Sequence, residues 1–285
     1  MNALAVSSDG KQVATGGGGE KIQVWSMESG ETAAEFPKPG PSDSIVASLS
    51  FSPDGELLAY GGDHTGVGIL SIPRACVAAR LDVSCEDVFT VRFDPAKGRL
   101  AAGCSDDSEV QSSLHANRAS QAHDHAWGTI FLWDPPYEGA PWTLVGHKRG
   151  VFPMAFSQDG STLVSAQIDS GIRIWDVEKR AERRSIETPH AFLCLALAVS
   201  PDGKKIALVE EVDPKEHEKQ WDAIAIWDLD GTRTGRIPTE HIYISCLAFT
   251  PDGSGLYVGS YDGTLELWDW QKGNRIASFV DPELK

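Results

Sequence analysis

The densest group of ligand-type side chains in this sequence is His115, His123, Asp124 and His125. Imidazole and carboxylate together could hold zinc or a similar ion. His123 and His125, however, flank a single residue in a polar stretch, and a metal site needs donors held in fixed geometry. We read these histidines as solvated loop residues and expect no metal. Other chemistry-bearing patterns are weaker. Gly16 to Gly19, followed by Glu20-Lys21, lacks the spacing and the following helix of a phosphate loop. Asp228-Leu229-Asp230-Gly231 lacks the downstream Glu and flanking helices of a calcium loop. There is no Gly-x-Ser-x-Gly elbow, His-Glu-x-x-His helix or Cys-x-x-Cys pair. The sequence therefore predicts neither catalytic residues nor a cofactor.

What the chain does have is a repeated phrase. A turn of the type Ser-Pro-Asp-Gly is followed, fifteen residues after its Gly, by Trp: Gly10 to Trp25, Gly160 to Trp175 and Gly253 to Trp268. Gly55 keeps the step but meets Leu70. Two copies are stretched, Gly98 to Trp133 over 35 residues and Gly203 to Trp227 over 24. A fixed spacing means one supersecondary unit copied along the chain. Six units result, approximately 1–40, 41–84, 85–147, 148–189, 190–240 and 241–285, which we read as a single domain.

Each unit reads as four short strands. In the fourth, Val151 to Ser157, Thr162 to Gln167, Ile172 to Trp175 and Arg184 to Glu187 are strands, with Asp159-Gly160 and Asp169-Ser170-Gly171 as turns. Asp-Gly pairs supply the positive φ that tight hairpins need. A four-stranded sheet with two apolar faces must stack on its neighbours, which predicts an all-β, six-bladed β-propeller of four-stranded antiparallel blades. The chain starts in an innermost strand and ends in an outermost one. Such a ring closes either by side-chain packing or through a further segment.

These repeats resemble the WD40 family, through Trp133-Asp134, Trp175-Asp176, Trp227-Asp228 and Trp268-Asp269 taken with their upstream Asp-Gly turns. Trp25-Ser26 and Leu70-Ser71 are degenerate copies. The resemblance implies a buried, hydrogen-bonded set of His147, Ser165, Asp169 and Trp175 in the fourth unit. The sixth has His241, Asp262 and Trp268, with Val258 in place of the hydroxyl. Ser165, His147 and Asp169 invite a hydrolase reading, but the resemblance gives them a scaffolding role inside the blade.

Function is then sought where the repeat is broken. Both stretched copies carry insertions between their second and third strands, approximately Ser105 to Ala126 and Glu211 to Gln220. That connection falls on one face of a blade, so both insertions are expected on the same face, which marks a binding surface. Each insertion ends in a Trp six residues before the repeat Trp, Trp127 and Trp221, where regular copies carry Asp169 and Asp262. These tryptophans are either interface anchors or pins that hold each insertion to its blade. Phe89, Phe152 and Tyr243 start inner strands and are expected near the same face, with His123 and His125. Asp106 and Asp107 favour a partner with a basic segment.

A net charge of −16 argues against nucleic acid and anionic membranes as partners. Arg180, Arg183 and Arg184 form the densest basic run and read as a solvated outer strand. The five cysteines show no disulfide or metal spacing, and there is no signal core, which predicts a cytoplasmic location. The expectation is a non-catalytic protein-interaction scaffold. The alternatives are a metal-dependent propeller hydrolase or lyase, or a sensor domain of a larger protein.

Overall fold

The strand boundaries follow from the turn chemistry. In the computed structural model, which describes residues 3–85, 87–105, 128–148, 150–167, 171–187, 196–211, 222–239, 241 and 244–280, five repeat turns are built alike. At the first, Ser7 Oγ donates to Asp9 Oδ1 at 2.7 Å and accepts from the Gln12 amide at 2.9 Å. The Asp9 carboxylate in turn accepts from the Lys11 amide. Gly10 supplies φ 71°. Ser52–Asp54, Ser157–Asp159, Ser200–Asp202 and Thr250–Asp252 repeat the arrangement. The hydroxyl donors hold these carboxyls below their ordinary range. For Asp252 the bonds from Thr250 and Ser254 bring it down to about 2. The third copy differs: Asp94 takes the place of the hydroxyl and accepts from the Ala96 and Lys97 amides.

These turns join 24 described strands into sets of four. The first set is β1 (Ala3–Val6), β2 (Gln12–Gly16), β3 (Lys21–Ser26) and β4 (Thr32–Pro37), antiparallel in that order. The second holds β5 (Ile45–Phe51), β6 (Leu57–Asp63), β7 (Val67–Ser71) and β8 (Cys76–Leu81). The third holds β9 (Asp87–Phe93), β10 (Leu100–Ser105), β11 (Ile130–Trp133) and β12 (Trp142–Leu144). Then come β13 (Val151–Phe156), β14 (Thr162–Gln167), β15 (Ile172–Asp176) and β16 (Ala181–Ile186). The fifth set is β17 (Leu197–Val199), β18 (Lys205–Glu211), β19 (Asp222–Asp228) and β20 (Arg233–Pro238). The sixth is β21 (Ile244–Phe249), β22 (Leu256–Ser260), β23 (Thr264–Asp269) and β24 (Asn274–Val280). Four sets are separate sheets, while the second and third merge into one eight-stranded sheet through the pair Asp63↔Asp87 between β6 and β9. Among the described residues there is no helix, and so none long and apolar enough to cross a membrane. The insertions leave between β10 and β11 and between β18 and β19, second and third strands as expected.

The chain divides into two compact units, Met1–Phe152 and Pro153–Lys285. Within the first, Leu58 and Tyr60 of β6 face Ile22 and Val24 of the first set, while Ala59 faces Val91 and Leu100 of the third. Within the second, Ile206 and Leu208 of β18 pack against Ile174 and Val164, while Ala207 and Val209 pack against Leu256 and Val258. The two-residue side-chain period thus sends alternate residues of one strand into two different cores. Each fully buried aliphatic side chain contributes about 1.5–3 kcal/mol. β16, with Arg183 and Arg184, is exposed apart from Ile186, as a solvated outer strand.

One reading is corrected. Cys85 and Cys104 form a disulfide, with Cα atoms 6.0 Å apart. Their separation of 19 matches no motif, but antiparallel pairing of β9 with β10 returns the chain to the same place. Cys76 and Cys246 are free and exposed.

The turn account predicts that Ser157→Ala lowers unfolding free energy by about 1–2 kcal/mol, because it strips the Asp159 and Thr162 bonds from a buried hydroxyl. Ser161→Ala, on the exposed side of the same turn, should cost less than about 0.5 kcal/mol. Urea titration of both variants measures the difference.

Candidate functional site

The root of the longer insertion is the most densely functionalised part of the first unit, and glycines make it possible. A Cβ on Gly62 would lie 1.9 Å from the Ile45 carbonyl oxygen, and one on Gly61 would lie 2.7 Å from Val88. Without side chains at these positions, β5 and β9 close on the end of β6 from two sides. That approach sets Asp63 opposite Asp87. His64 follows in the left-handed region at φ 53° and brings Nε2 to 3.3 Å from Asp63 Oδ1. Asp87 is 3% exposed, and its carboxyl is pushed up to about 7 by burial and by the adjoining Asp63. The next strand, β10, ends with Ser105 opposite Asp87, where the insertion departs. The Cys85–Cys104 bond ties the chain beside this point, and a bulge at Gly103/Cys104 leaves Phe89 out of the register.

Phe89 and Phe152, half-buried, stack with ring centroids 4.6 Å apart and planes at 17°. Of the partner-binding residues expected from sequence, these two are brought together. Trp127, Trp221, His123, His125, Asp106, Asp107 and Tyr243 lie outside the described residues, as do His115 and Asp124. The Asp63–His64–Asp87 cluster was missed by sequence reading. Asp63 ends β6, His64 opens the turn that follows and Asp87 belongs to the next repeat, so no local spacing flags them.

The repeat tryptophans use their ring N–H according to one register rule. Trp175 lies opposite Leu163, and its Nε1 donates to Ser165 two residues further along β14, at 2.8 Å. Trp25 lies opposite Val13 and donates to Thr15 at 3.2 Å. The equivalent positions opposite Trp133, Trp227 and Trp268 are Ala102, Leu208 and Val258, which offer no acceptor side chain. Trp268 compensates by donating to Glu266 of its own strand at 2.9 Å. Trp227 Nε1 has no hydrogen-bond partner among the described residues, and Arg233 lies over the ring at 6.0 Å.

A family profile described as "WD domain, G-beta repeat" matches residues 33–65, 141–176 and 232–269. Each segment contains a repeat turn, and the second and third end one residue past Trp175 and Trp268. Three segments of the chain thus match the WD40 repeat. It is similar to protein tipD of Dictyostelium discoideum, 24% identical over 96% of this chain and 40% of that protein. It is also similar to protein groucho of Drosophila melanogaster, 34% identical over 41% of this chain and 15% of that protein. A third relative is the rice chromatin assembly factor 1 subunit FAS2 homolog, 28% identical over 57% of this chain and 31% of that protein. The chain therefore spans less than half the length of each of these relatives.

In the fourth WD40 repeat, His147, Ser165 and Trp175 are all buried, and Asp169 falls outside the described residues. Ser165 is 0% exposed and engaged by Trp175, so its hydroxyl cannot meet a substrate. In the sixth repeat the missing hydroxyl is replaced by a charge. Glu266, 1% exposed, accepts from Trp268 and from Arg275 Nη1 at 2.6 Å, and His241 Nε2 lies 3.3 Å away. His241 Nδ1 lies 2.9 Å from Asp262.

Burial raises the Glu266 carboxyl, but the bonds from Arg275, His241 and Trp268 outweigh it and leave Glu266 below its ordinary 4.5. Burial lowers His241, but bonds to Asp262 and Glu266 outweigh it and leave His241 above its ordinary 6.5. The Glu266 contribution is present above about pH 4.5 and lost as pH falls through the lower folded value. The His241 contribution is complete below about pH 6.5 and lost as pH rises through the higher folded value. The melting difference between wild type and His241→Ala should therefore be largest between about pH 4.5 and 6.5 and shrink above it. Glu266→Ala should cost about 1–3 kcal/mol at pH 6, because the Trp268 and His241 rings lose their acceptor while Arg275 is half-exposed and stays solvated. Melting curves across pH check both.

Proposed function

We propose that this chain is a non-catalytic protein-interaction scaffold, a six-bladed WD40 propeller that presents one loop-bearing end to a protein partner. The observation that carries the reading is the half-exposed Phe89–Phe152 stack at the root of the longer insertion. A flat aromatic pair held on strand starts offers apolar contact area at little cost in ordering entropy. The hydroxyl that could have acted as a nucleophile, Ser165, is sealed inside its sheet instead. Names among the relatives support a role in assemblies, since one is described as a subunit of a chromatin assembly factor.

On this proposal Trp127 and Trp221 are further anchors. His123, His125 and Tyr243 contribute to the same surface, and Asp106 and Asp107 favour a basic segment on the partner. The net charge of −16 supports a protein rather than a nucleic acid or an anionic membrane as that partner. A cytoplasmic location is part of the proposal, and the Cys85–Cys104 bond bears against it, because cytosolic thiols are kept reduced.

The test is capture of partners from a lysate by wild type and by variants. Phe89→Ala, Trp127→Ala and deletion of residues 106–126 should each reduce capture at least tenfold, with the melting temperature of Trp127→Ala unchanged. Full capture by the deletion variant would overturn the choice of surface. A large melting shift in Trp127→Ala with capture intact would assign that Trp to packing of its own insertion.

A further inference from the structure

We propose that Asp63, His64 and Asp87 form a binding site for one divalent cation at the junction of β6 and β9. One donor atom from each residue, two carboxylate oxygens and an imidazole nitrogen, all lie within 4.8 Å of one another. Two donors that share an ion at 2.0–2.6 Å can be no more than about 5 Å apart, so the three are already within coordination reach. The donor set is mixed nitrogen and oxygen, which suits manganese or zinc, with calcium as the oxygen-preferring comparison.

The site is also built rather than incidental. Asp63 and Asp87 are held side by side by the backbone pair that merges two sheets, and Asp87 is 3% exposed. Two carboxylates set side by side in a buried place call for a positive partner, which a divalent cation supplies. Asp63 Oδ1 is a buried atom with no hydrogen-bond partner among the described residues, and it lies 3.3 Å from His64 Nε2.

The backbone around the cluster is closely packed. Gly61 and Gly62 allow close backbone packing, and a Cβ on Gly40 would come within 2.7 Å of the His64 carbonyl oxygen. The Cys85–Cys104 bond clamps the chain two residues before Asp87. Asp63 and His64 are half-buried, which leaves a way in for the ion. This is the preorganisation that the histidines of the insertion lack in sequence.

The experiment is isothermal titration of the full, metal-stripped chain with manganese, zinc and calcium chlorides in turn, paired with melting curves. The expected result is one ion bound per chain for at least one of the three, with a melting temperature raised by several degrees at saturation. Asp87→Asn and His64→Gly should each weaken binding at least tenfold; Gly is chosen at 64 because it fits the positive φ. A variant with His115, His123 and His125 all changed to Ala should keep the affinity. Should Asp87→Asn fail to fold, His64→Gly and the half-buried Asp63→Asn decide the matter. Absence of heat and of any melting shift with all three ions would overturn the proposal. So would unchanged affinity in His64→Gly, or loss of binding in the triple histidine variant. Stability that varies around pH 7 and is indifferent to every ion would mean the pair shares a proton instead, which also overturns it.

Discussion

A four-stranded sheet with two apolar faces cannot exist alone in water, and every other feature of this chain answers to that constraint. Middle strands such as β6, β18 and β19 carry Ile, Leu, Val or Ala on both sides. Ile206 and Leu208 enter one core while Ala207 and Val209 enter the next. The fifteen-residue step from turn to Trp keeps this geometry in register from copy to copy. The hydroxyl of each Ser-Pro-Asp-Gly turn fixes where the second strand begins, and the Trp marks where the third strand reaches the same level. A shift of one residue would send each side chain to the opposite core.

The same constraint explains where polar groups are allowed inside. An indole N–H buried between sheets calls for an acceptor, and for Trp25, Trp175 and Trp268 the chain supplies one in two ways. Ser165 and Thr15 accept from the neighbouring strand, while Glu266 accepts from within the same strand. The second solution buries a charge, and Arg275 and His241 are recruited to balance it. The cohesion of the sixth WD40 repeat thus responds to pH. The strand ends, where the longer insertion leaves, are where Asp63, His64, Asp87 and the phenylalanine stack collect.

Much of this was legible from the residues. The second strand of the fourth set runs from Thr162 to Gln167 in both the sequence reading and the structure, because turn chemistry bounds it on each side. The fourth strand was placed from Arg184 to Glu187 and is observed from Ala181 to Ile186. A bulge between Ile174 and Trp175 extends its pairing back to Ala181, and nothing in an exposed, polar run announces a bulge. The disulfide, the carboxylate pair and the Glu266 acceptor were not legible for a common reason. Cys85 with Cys104, and Asp63 with Asp87, meet through strand pairing rather than through local spacing. Glu266 was passed over because the hydroxyl was sought on the second strand. The aromatic pair was half visible: strand starts marked Phe89 and Phe152, and only coordinates show that they stack.

The central claim is that β14, β18 and β19 are buried while fourth strands such as β16 face water. Amide hydrogen exchange on the intact chain measures this most directly. The account predicts that peptides covering Leu163–Ala166, Ile206–Val209 and Ile224–Ile226 exchange only through global unfolding, orders of magnitude more slowly than Ala181–Ser185. Equal protection of the two groups, or rapid exchange throughout Ile206–Val209, would contradict it.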